Sequence, residues 1–140
     1  MARRVEIAFA VPRDQAFDFL VHPHNRTRWQ SSLREVGAVQ PLPPQVGTRW
    51  SERAVGGVVS QMSLTVVERP RTWAETGTSR GITMDLSLSF ADAPDGCLVA
   101  AEVSFRARGP WRVVAPVAAL LFPVAIRSDL ARAARLLSAG

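Results

Sequence analysis

Glu52, His22 and His24 are the residues whose types and positions suit proton transfer. Glu52 alternates with Trp50 within a predicted strand that spans residues 48–55. Side chains two residues apart in a strand share a face, so Glu52 points inward if Trp50 does. A carboxyl group held in an apolar cavity can act as a general acid or base. On a solvent-facing edge, Glu52 would instead pair with an arginine on a neighbouring strand.

The two histidines flank Pro23 in a predicted loop, where their rings could move a proton or help to bind a metal ion. The sequence has no third histidine, Cys97 is distant, and no recognised metal-ligand spacing occurs. No metal site is therefore predicted, and no cofactor is expected. His24 stays beside Glu52 as a candidate for acid–base catalysis. Cys97 has no evident neighbouring base that would make it a nucleophile.

The composition is that of an ordinary globular domain. The chain has 140 residues, of which 47% are apolar and 21% are charged, and it contains no internal repeat. One domain covering residues 1–140 is therefore expected. All 17 basic residues are arginine and give a net charge of +5, but they are spread from Arg3 to Arg135 in runs of at most two. Nucleic-acid binders concentrate positive charge on one face, so nucleic acid is not predicted as a partner.

The sequence contains no pattern typical of export or membrane insertion. Its N-terminal arginines lead into alternating residues rather than into an apolar signal-peptide core. The longest apolar stretch, Val113 to Ile126, has 14 residues and includes two prolines, whereas a membrane-spanning helix needs roughly 20 residues. This stretch is interpreted as a buried helix. The single cysteine, Cys97, cannot form an intramolecular disulfide, which suits a reducing cytoplasm as the expected location.

Alternating apolar and polar residues predict a series of strands joined by short turns. The first alternation runs from Val5 to Val11, and short helical patterns follow it. Asp85 and Glu102 lie in the polar phases of two later strands, which predicts a solvated outer face for both. The helical patterns cover residues 13–21 and 25–30, and the later strand patterns cover residues 33–39, 48–55, 58–68, 72–78, 82–90 and 98–107.

A long helical segment from about Trp111 to Ser138 ends the pattern. Its first half is apolar on nearly all sides, which implies burial, and Pro116 and Pro123 should kink or interrupt it. Short turns favour antiparallel neighbours, and the apolar face of the sheet needs a cover. We therefore expect an α+β fold. A curved antiparallel sheet of about six to seven strands would wrap around the long C-terminal helix, with one or two short helices after the first strand.

Several turn and packing motifs resemble those of a known superfamily. Over nearly the whole chain, their succession resembles the START-related SRPBCC superfamily with the helix-grip fold, and within it the polyketide cyclase/dehydrase-like branch. Cys97 departs from the pattern, since threonine is expected there, and none of the motifs is a catalytic signature. The motifs are Val11-Pro12 before Ala16-Phe17-Asp18-Phe19-Leu20, Pro23-His24-Asn25-Arg26-Thr27-Arg28-Trp29, Val46-Gly47-Thr48-Arg49-Trp50, Glu68-Arg69-Pro70-Arg71 and Asp95-Gly96.

The resemblance implies a deep cavity between sheet and helix that holds a lipid-, polyketide-, sterol- or isoprenoid-like molecule. Trp29 and Trp50 could form the mouth or wall of this cavity, or they could belong to the core. The strand and helix patterns predict further residues that line this cavity. On the strands these are Met62, Leu64, Met84, Leu86, Leu88, Val103 and Phe105, and on the helix they are Val117, Leu120, Leu121 and Val124.

Binding of a small hydrophobic molecule without catalysis is the leading hypothesis, because the chain has few acid–base residues. The first alternative is a cyclase or dehydratase that uses Glu52 or a histidine in the same cavity. The second is a module that binds a protein or a membrane surface through the outer face of the sheet or through the helix. A homodimer is also left open.

Overall fold

A curved antiparallel sheet of seven strands forms the frame of the protein. The structure is a computed structural model, and it describes residues 3–139. The strands lie in the order β1-β7-β6-β5-β4-β3-β2, so β2 to β7 follow one another across the sheet and β1 pairs with β7. Every pair is antiparallel, as the short turns predicted. The strands are β1 (Arg3–Phe9), β2 (Leu33–Gln40), β3 (Arg49–Ala54), β4 (Val59–Glu68), β5 (Thr72–Ser79), β6 (Ile82–Ala93) and β7 (Gly96–Ala107).

The helices lie before and after this meander of strands. Helices α1 (Arg13–Val21) and α2 (Arg26–Trp29) follow β1, and a turn of 3-10 helix separates them. Helix α1 begins after Pro12, carries Asp14 in its first turn and buries one apolar side. A second 3-10 turn after β7 leads into α3 (Val114–Ala139). The predicted α+β fold, with short helices after the first strand and a long helix at the C-terminal end, is confirmed.

Two hairpin turns lie at the same end of the sheet. The chain turns between β3 and β4 at Gly56 and Gly57, whose φ angles of 87° and 81° lie in the left-handed region that favours glycine. It turns between β5 and β6 at Arg80 and Gly81. The chain that leaves β7 arrives at this end too, because the Arg108 backbone N–H donates to the Gly81 carbonyl at 2.8 Å. The start of α3 is thereby placed above the ends of β5 and β6.

The buried residues of α3 begin only at its midpoint. The helix packs against β1 and β7, and its buried residues are Ile126, Asp129, Leu130 and Ala133. The prediction that the first half is buried on several sides is therefore wrong. That half exposes most of its large side chains, although Phe122 packs on Phe105 of β7. No helix within residues 3–139 is long and apolar enough to cross a membrane.

The two prolines do not interrupt α3, so of the two expected effects, a kink or a break, the break does not occur. The helix runs without a break from Val114 to Ala139. Pro116 lies in its first turn, where a backbone N–H has no intrahelical partner to lose. Pro123 lies inside the helix, where it removes one hydrogen bond, and the flanking turns continue on both sides.

Asp129 ties α3 to the segment before β2. Its Oδ1 accepts hydrogen bonds from the Ser31 backbone N–H at 3.2 Å and from the Ser31 hydroxyl at 3.1 Å. Burial raises the pKa of Asp129 above its ordinary value of 3.8, and the two bonds from Ser31 only partly counter that effect. A carboxyl group whose pKa is raised by folding favours the folded state while it is protonated. Its contribution to stability is lost as the pH rises through the folded-state pKa.

Replacing Asp129 with asparagine tests this linkage, because the amide oxygen can still accept from Ser31 and carries no charge. We expect the D129N variant to gain stability relative to the parent as the pH rises from about 3 to about 7. Urea unfolding at a series of pH values measures the difference in the free energy of unfolding. The exposed Asp95, changed to asparagine, serves as the control and should show no comparable trend. A difference that stays constant with pH, or falls, contradicts the assignment.

Candidate functional site

A cavity of about 340 Å³ lies between β3 to β6 and the start of α3. It opens beside the two glycine-containing hairpin turns, where the exposed residues Ser32, Val58 and Arg80 line it. Its wall is mostly apolar, and its buried end is polar. The apolar side chains are Leu33, Met62, Ile82, Met84, Phe105, Trp111 and Phe122, and the buried polar ones are Arg26, Gln30, Glu52 and Glu75.

Strand alternation places two glutamates at the buried end. On β3, Glu52 follows Trp50 by two residues, and on β5, Glu75 follows Trp73 by two residues. Both tryptophans are buried in the core, so both carboxylates point to the interior. Glu75 is 1% exposed and Glu52 is 8% exposed.

The side chain of Arg26 extends from helix α2 to the glutamates of these two strands. Its side chain is 1% exposed, and its guanidinium carbon lies 5.6 Å, 5.6 Å and 5.5 Å from the ring centroids of Trp29, Trp50 and Trp73. A cation at this distance from an aromatic ring is attracted by the negative ring face, and the attraction grows when water is excluded. The short helix α2 therefore carries a charged residue into the middle of the core.

Glutamates and a glutamine engage the guanidinium of Arg26. Nη1 donates to Gln30 Oε1 at 3.0 Å and lies 3.4 Å from Glu52 Oε1, and Nη2 forms an ion pair with Glu75. Glu52 Oε1 also accepts from the Trp50 indole N–H at 3.0 Å. Burial lowers the pKa of Arg26, and the charge of Glu52 works against that effect. We call Arg26, Glu52 and Glu75 the buried charge cluster.

The buried charge cluster contains two residues that the sequence patterns did not single out as site residues, Arg26 and Glu75. Glu75 had a usable signal, because its spacing from Trp73 repeats the spacing of Glu52 from Trp50. Arg26 lies in the helical pattern predicted for residues 25–30, but nothing in that pattern indicated that its side chain is buried. Removing a charge from water costs several kcal/mol, and pairing it with opposite charges offsets part of that cost.

Three of the predicted strand residues line the cavity, namely Met62, Met84 and Phe105. Four others lie in the closely packed core and not on the cavity wall: Leu64, Leu86, Leu88 and Val103. Trp29 and Trp50 are also buried in the core, where they pack on Arg26. Of the two interpretations offered for these tryptophans, the structure therefore favours the core.

The four helix residues predicted to line the cavity point to solvent instead. Val117, Leu120, Leu121 and Val124 are 53%, 63%, 65% and 70% exposed. The buried residues of α3 start at Ile126, so these four positions lie before the part of the helix that is buried. Phe122 is the α3 residue that lines the cavity, together with Trp111 from the 3-10 turn before the helix.

The two candidates for acid–base catalysis, Glu52 and His24, lie in different places. Glu52 lines the cavity, and its arginine partner comes from a helix rather than from a neighbouring strand. His24 is exposed and does not line the cavity, and its backbone N–H donates to His22 Nδ1 at 3.3 Å. Within residues 3–139, no group of three potential metal ligands occurs.

The outer face of the sheet is charged and exposed to solvent, as predicted. Asp85 pairs with Arg106 at 3.0 Å, and Glu102 pairs with Arg4 at 3.0 Å. Cys97 is buried, and burial raises the pKa of its thiol, with a smaller contribution from Asp92. A thiol in this state is a poor nucleophile.

Replacing Arg26 with methionine tests the buried charge cluster. The variant leaves two carboxylates buried without their counter-charge, so we expect the free energy of unfolding to fall by about 3–5 kcal/mol. The triple variant R26M/E52Q/E75Q removes the charges together and should recover most of the loss. The exposed Arg28, two residues along, is the matched control, and R28M should cost less than about 1 kcal/mol. Urea unfolding measures all three, and equal losses for R26M and R28M would contradict the prediction.

Comparisons with known proteins agree with this architecture. Protein BH1534 from Bacillus halodurans superposes with a TM-score of 0.74 at 15% identity, over 96% of this chain and 95% of that one. Protein MLL2253 from Mesorhizobium loti superposes with a TM-score of 0.72 at 20% identity, over 99% of this chain and 97% of that one. DynU16, from the dynemicin biosynthetic locus, gives a TM-score of 0.73 at 14% identity over 98% of this chain, which matches 47% of DynU16.

These identities establish a shared fold and no more. No curated protein sequence matches the chain. A family model does match, and it covers residues 3–138, which is nearly the whole chain. The protein belongs to the family described as polyketide cyclase / dehydrase and lipid transport.

Proposed function

We propose that the protein binds one small, largely apolar molecule in the cavity between the sheet and the start of α3. The observation that carries this proposal is the cavity itself, about 340 Å³ in volume, with an apolar wall and a few polar groups at its buried end. Ligand sites typically combine these two features, since the wall supplies affinity and the polar groups fix orientation. The family description, which names polyketide chemistry and lipid transport, points to guests of the same general kind.

The volume limits the size of the guest. Sites for drug-sized ligands occupy roughly 300–1,000 Å³, and this cavity lies near the lower limit of that range. A compact polyketide-, lipid- or isoprenoid-like molecule with a few rings or one short chain therefore fits better than a complete phospholipid. Met62 and Met84 supply flexible thioether side chains to the wall, which suits guests of irregular shape.

A larger side chain that fills part of the cavity should weaken the binding of a guest. Ser60 lines the cavity, whereas its neighbour Val59 is 48% exposed on the other face of β4. We expect S60F to lower the affinity for the neutral fluorescent probe N-phenyl-1-naphthylamine by about tenfold or more, because the added ring takes up space needed by the guest. V59F is the matched control and should bind as the parent does. Probe fluorescence during titration gives Kd, and circular dichroism checks that both variants are folded.

Two outcomes of this titration count against a binding cavity. One is a parent protein that does not enhance the fluorescence of the probe at all. The other is an equal loss of affinity in S60F and V59F, because a guest inside the cavity cannot contact the outer face of β4.

A dehydratase is the second candidate function, and the presence of Glu52 and Glu75 in the cavity is the observation that favours it. A carboxylate there could take a proton from the carbon beside a ketone, and the resulting carboxyl group could give that proton to the β-hydroxyl group, which leaves as water as the carbon–carbon double bond forms. The test uses 4-hydroxy-4-(2-naphthyl)butan-2-one, whose dehydration product is a conjugated enone with strong ultraviolet absorption. If the protein is such an enzyme, E52Q or E75Q should lose the rate while still binding the fluorescent probe. If the protein does not raise the dehydration rate above that in buffer alone, the dehydratase function is excluded and the proposed binding function is unaffected.

A further inference from the structure

We infer that the guest enters the cavity with a hydrogen-bond-donating end first, so that its class is a neutral or cationic amphipathic molecule with a hydroxyl, phenol or amine, and not a carboxylic acid. This inference rests on the proposed binding function and specifies the chemistry of its ligand. It follows from the charges and the acceptor groups at the buried end of the cavity.

The charges at the buried end do not balance. Arg26 supplies one positive charge, and Glu52 and Glu75 supply two carboxylates, all three of them at least nine-tenths buried. Among residues 3–139, the only other charged residue on the wall is Arg80, which is exposed at the mouth. An excess of negative charge in a poorly solvated space attracts a cation or a hydrogen-bond donor and repels an anion.

Acceptors from the protein already face both terminal nitrogens of the Arg26 guanidinium. Nη1 faces Gln30 and Glu52, and Nη2 faces Glu75. A carboxylic acid guest would have to displace one of these partners to reach Nη1 or Nη2, and only Nε lacks a facing acceptor within residues 3–139. The single positive charge is therefore already paired with two carboxylates.

Acceptor capacity remains on Glu75. Apart from its ion pair with Arg26, neither of its carboxylate oxygens accepts a hydrogen bond of good geometry from residues 3–139. The residue lines the cavity although only 1% of its surface is exposed. A carboxylate has about four lone-pair positions, so a hydroxyl or ammonium group from a guest can be accommodated without breaking the ion pair. A buried acceptor without a donor is costly, and a donor supplied by a guest removes that cost.

Arg80 gives the mouth the opposite sign. Its guanidinium carbon lies 6.0 Å from the ring centroid of Trp111, which also lines the cavity. A guest with an anionic group would leave that group at the mouth beside Arg80. The two ends of the cavity therefore define the orientation of the guest, with its donor inside and any anion outside.

The experiment compares three guests that have the same ten-carbon chain and different end groups. Decanol, decylamine and decanoate are used below their micelle concentrations at pH 7 to displace N-phenyl-1-naphthylamine from the protein. We expect decanol and decylamine to bind about tenfold more tightly than decanoate. R80M should weaken decanoate binding further and leave decanol binding unchanged. E75Q and, as a second variant, E52Q should reduce the preference for decylamine over decanoate, whereas E102Q on the outer face should not.

The outcomes separate this inference from the binding function itself. If the probe binds and the three chains displace it with equal affinity, or decanoate binds most tightly, the ligand class is wrong and the binding function stands. If the parent binds neither the probe nor any of the chains, the proposed function fails, and the ligand class fails with it. An unchanged preference in both E75Q and E52Q excludes the buried charge cluster as its cause.

Discussion

The burial of Arg26 is the constraint on which the rest of the structure depends. A guanidinium that is removed from water requires opposite charge, hydrogen-bond acceptors and polarisable surfaces close by. The protein supplies them from separate parts of the chain: Gln30 beside helix α2, Glu52 on β3, Glu75 on β5, and three tryptophan rings. These groups meet only when α2 is docked against the concave face of the sheet. The charged residue thus fixes the position of the element that carries it.

The inner face of the sheet changes in character along its strands. Near the turns that join β4 to β5 and β6 to β7, it carries tightly packed apolar residues such as Leu64 and Leu88. Glu75 lies opposite Leu64 and Leu86 on the neighbouring strands, and Glu52 lies opposite Ser60, nearer the cavity mouth. The small side chains of Ala54, Ser60 and Ser79 line the cavity. Packed apolar residues, charged residues and cavity-lining residues thus lie within a few positions of one another on the sheet. The period of two in a strand makes this arrangement possible, because every second residue faces the interior.

Strand alternation made most of the fold and one glutamate of the site predictable from the sequence. The pairing of a tryptophan with a glutamate two residues later indicated that Glu52 could face inward, and the same spacing at Trp73 and Glu75 carried equal information. Arg26 was not predictable, because its burial results from partners that are distant in sequence. The first half of α3 was predicted wrongly for a related reason. Hydrophobic residues on all sides of a helix do not show which part is covered by the sheet, and here the buried residues start at Ile126.

Gly77 determines how far the wall of the cavity can change shape. A Cβ atom at this position would lie 2.5 Å from the sulfur of Met62, so the methionine occupies room that any larger residue on β5 would take. The thioether has three rotatable bonds and can change torsion angles without moving the strands. Adjacent to it, Met84 has the same freedom, since it pairs with Gly77 across β5 and β6. The rigid part of the cavity is thus its charged base, and the adjustable part is the side formed by the two methionines.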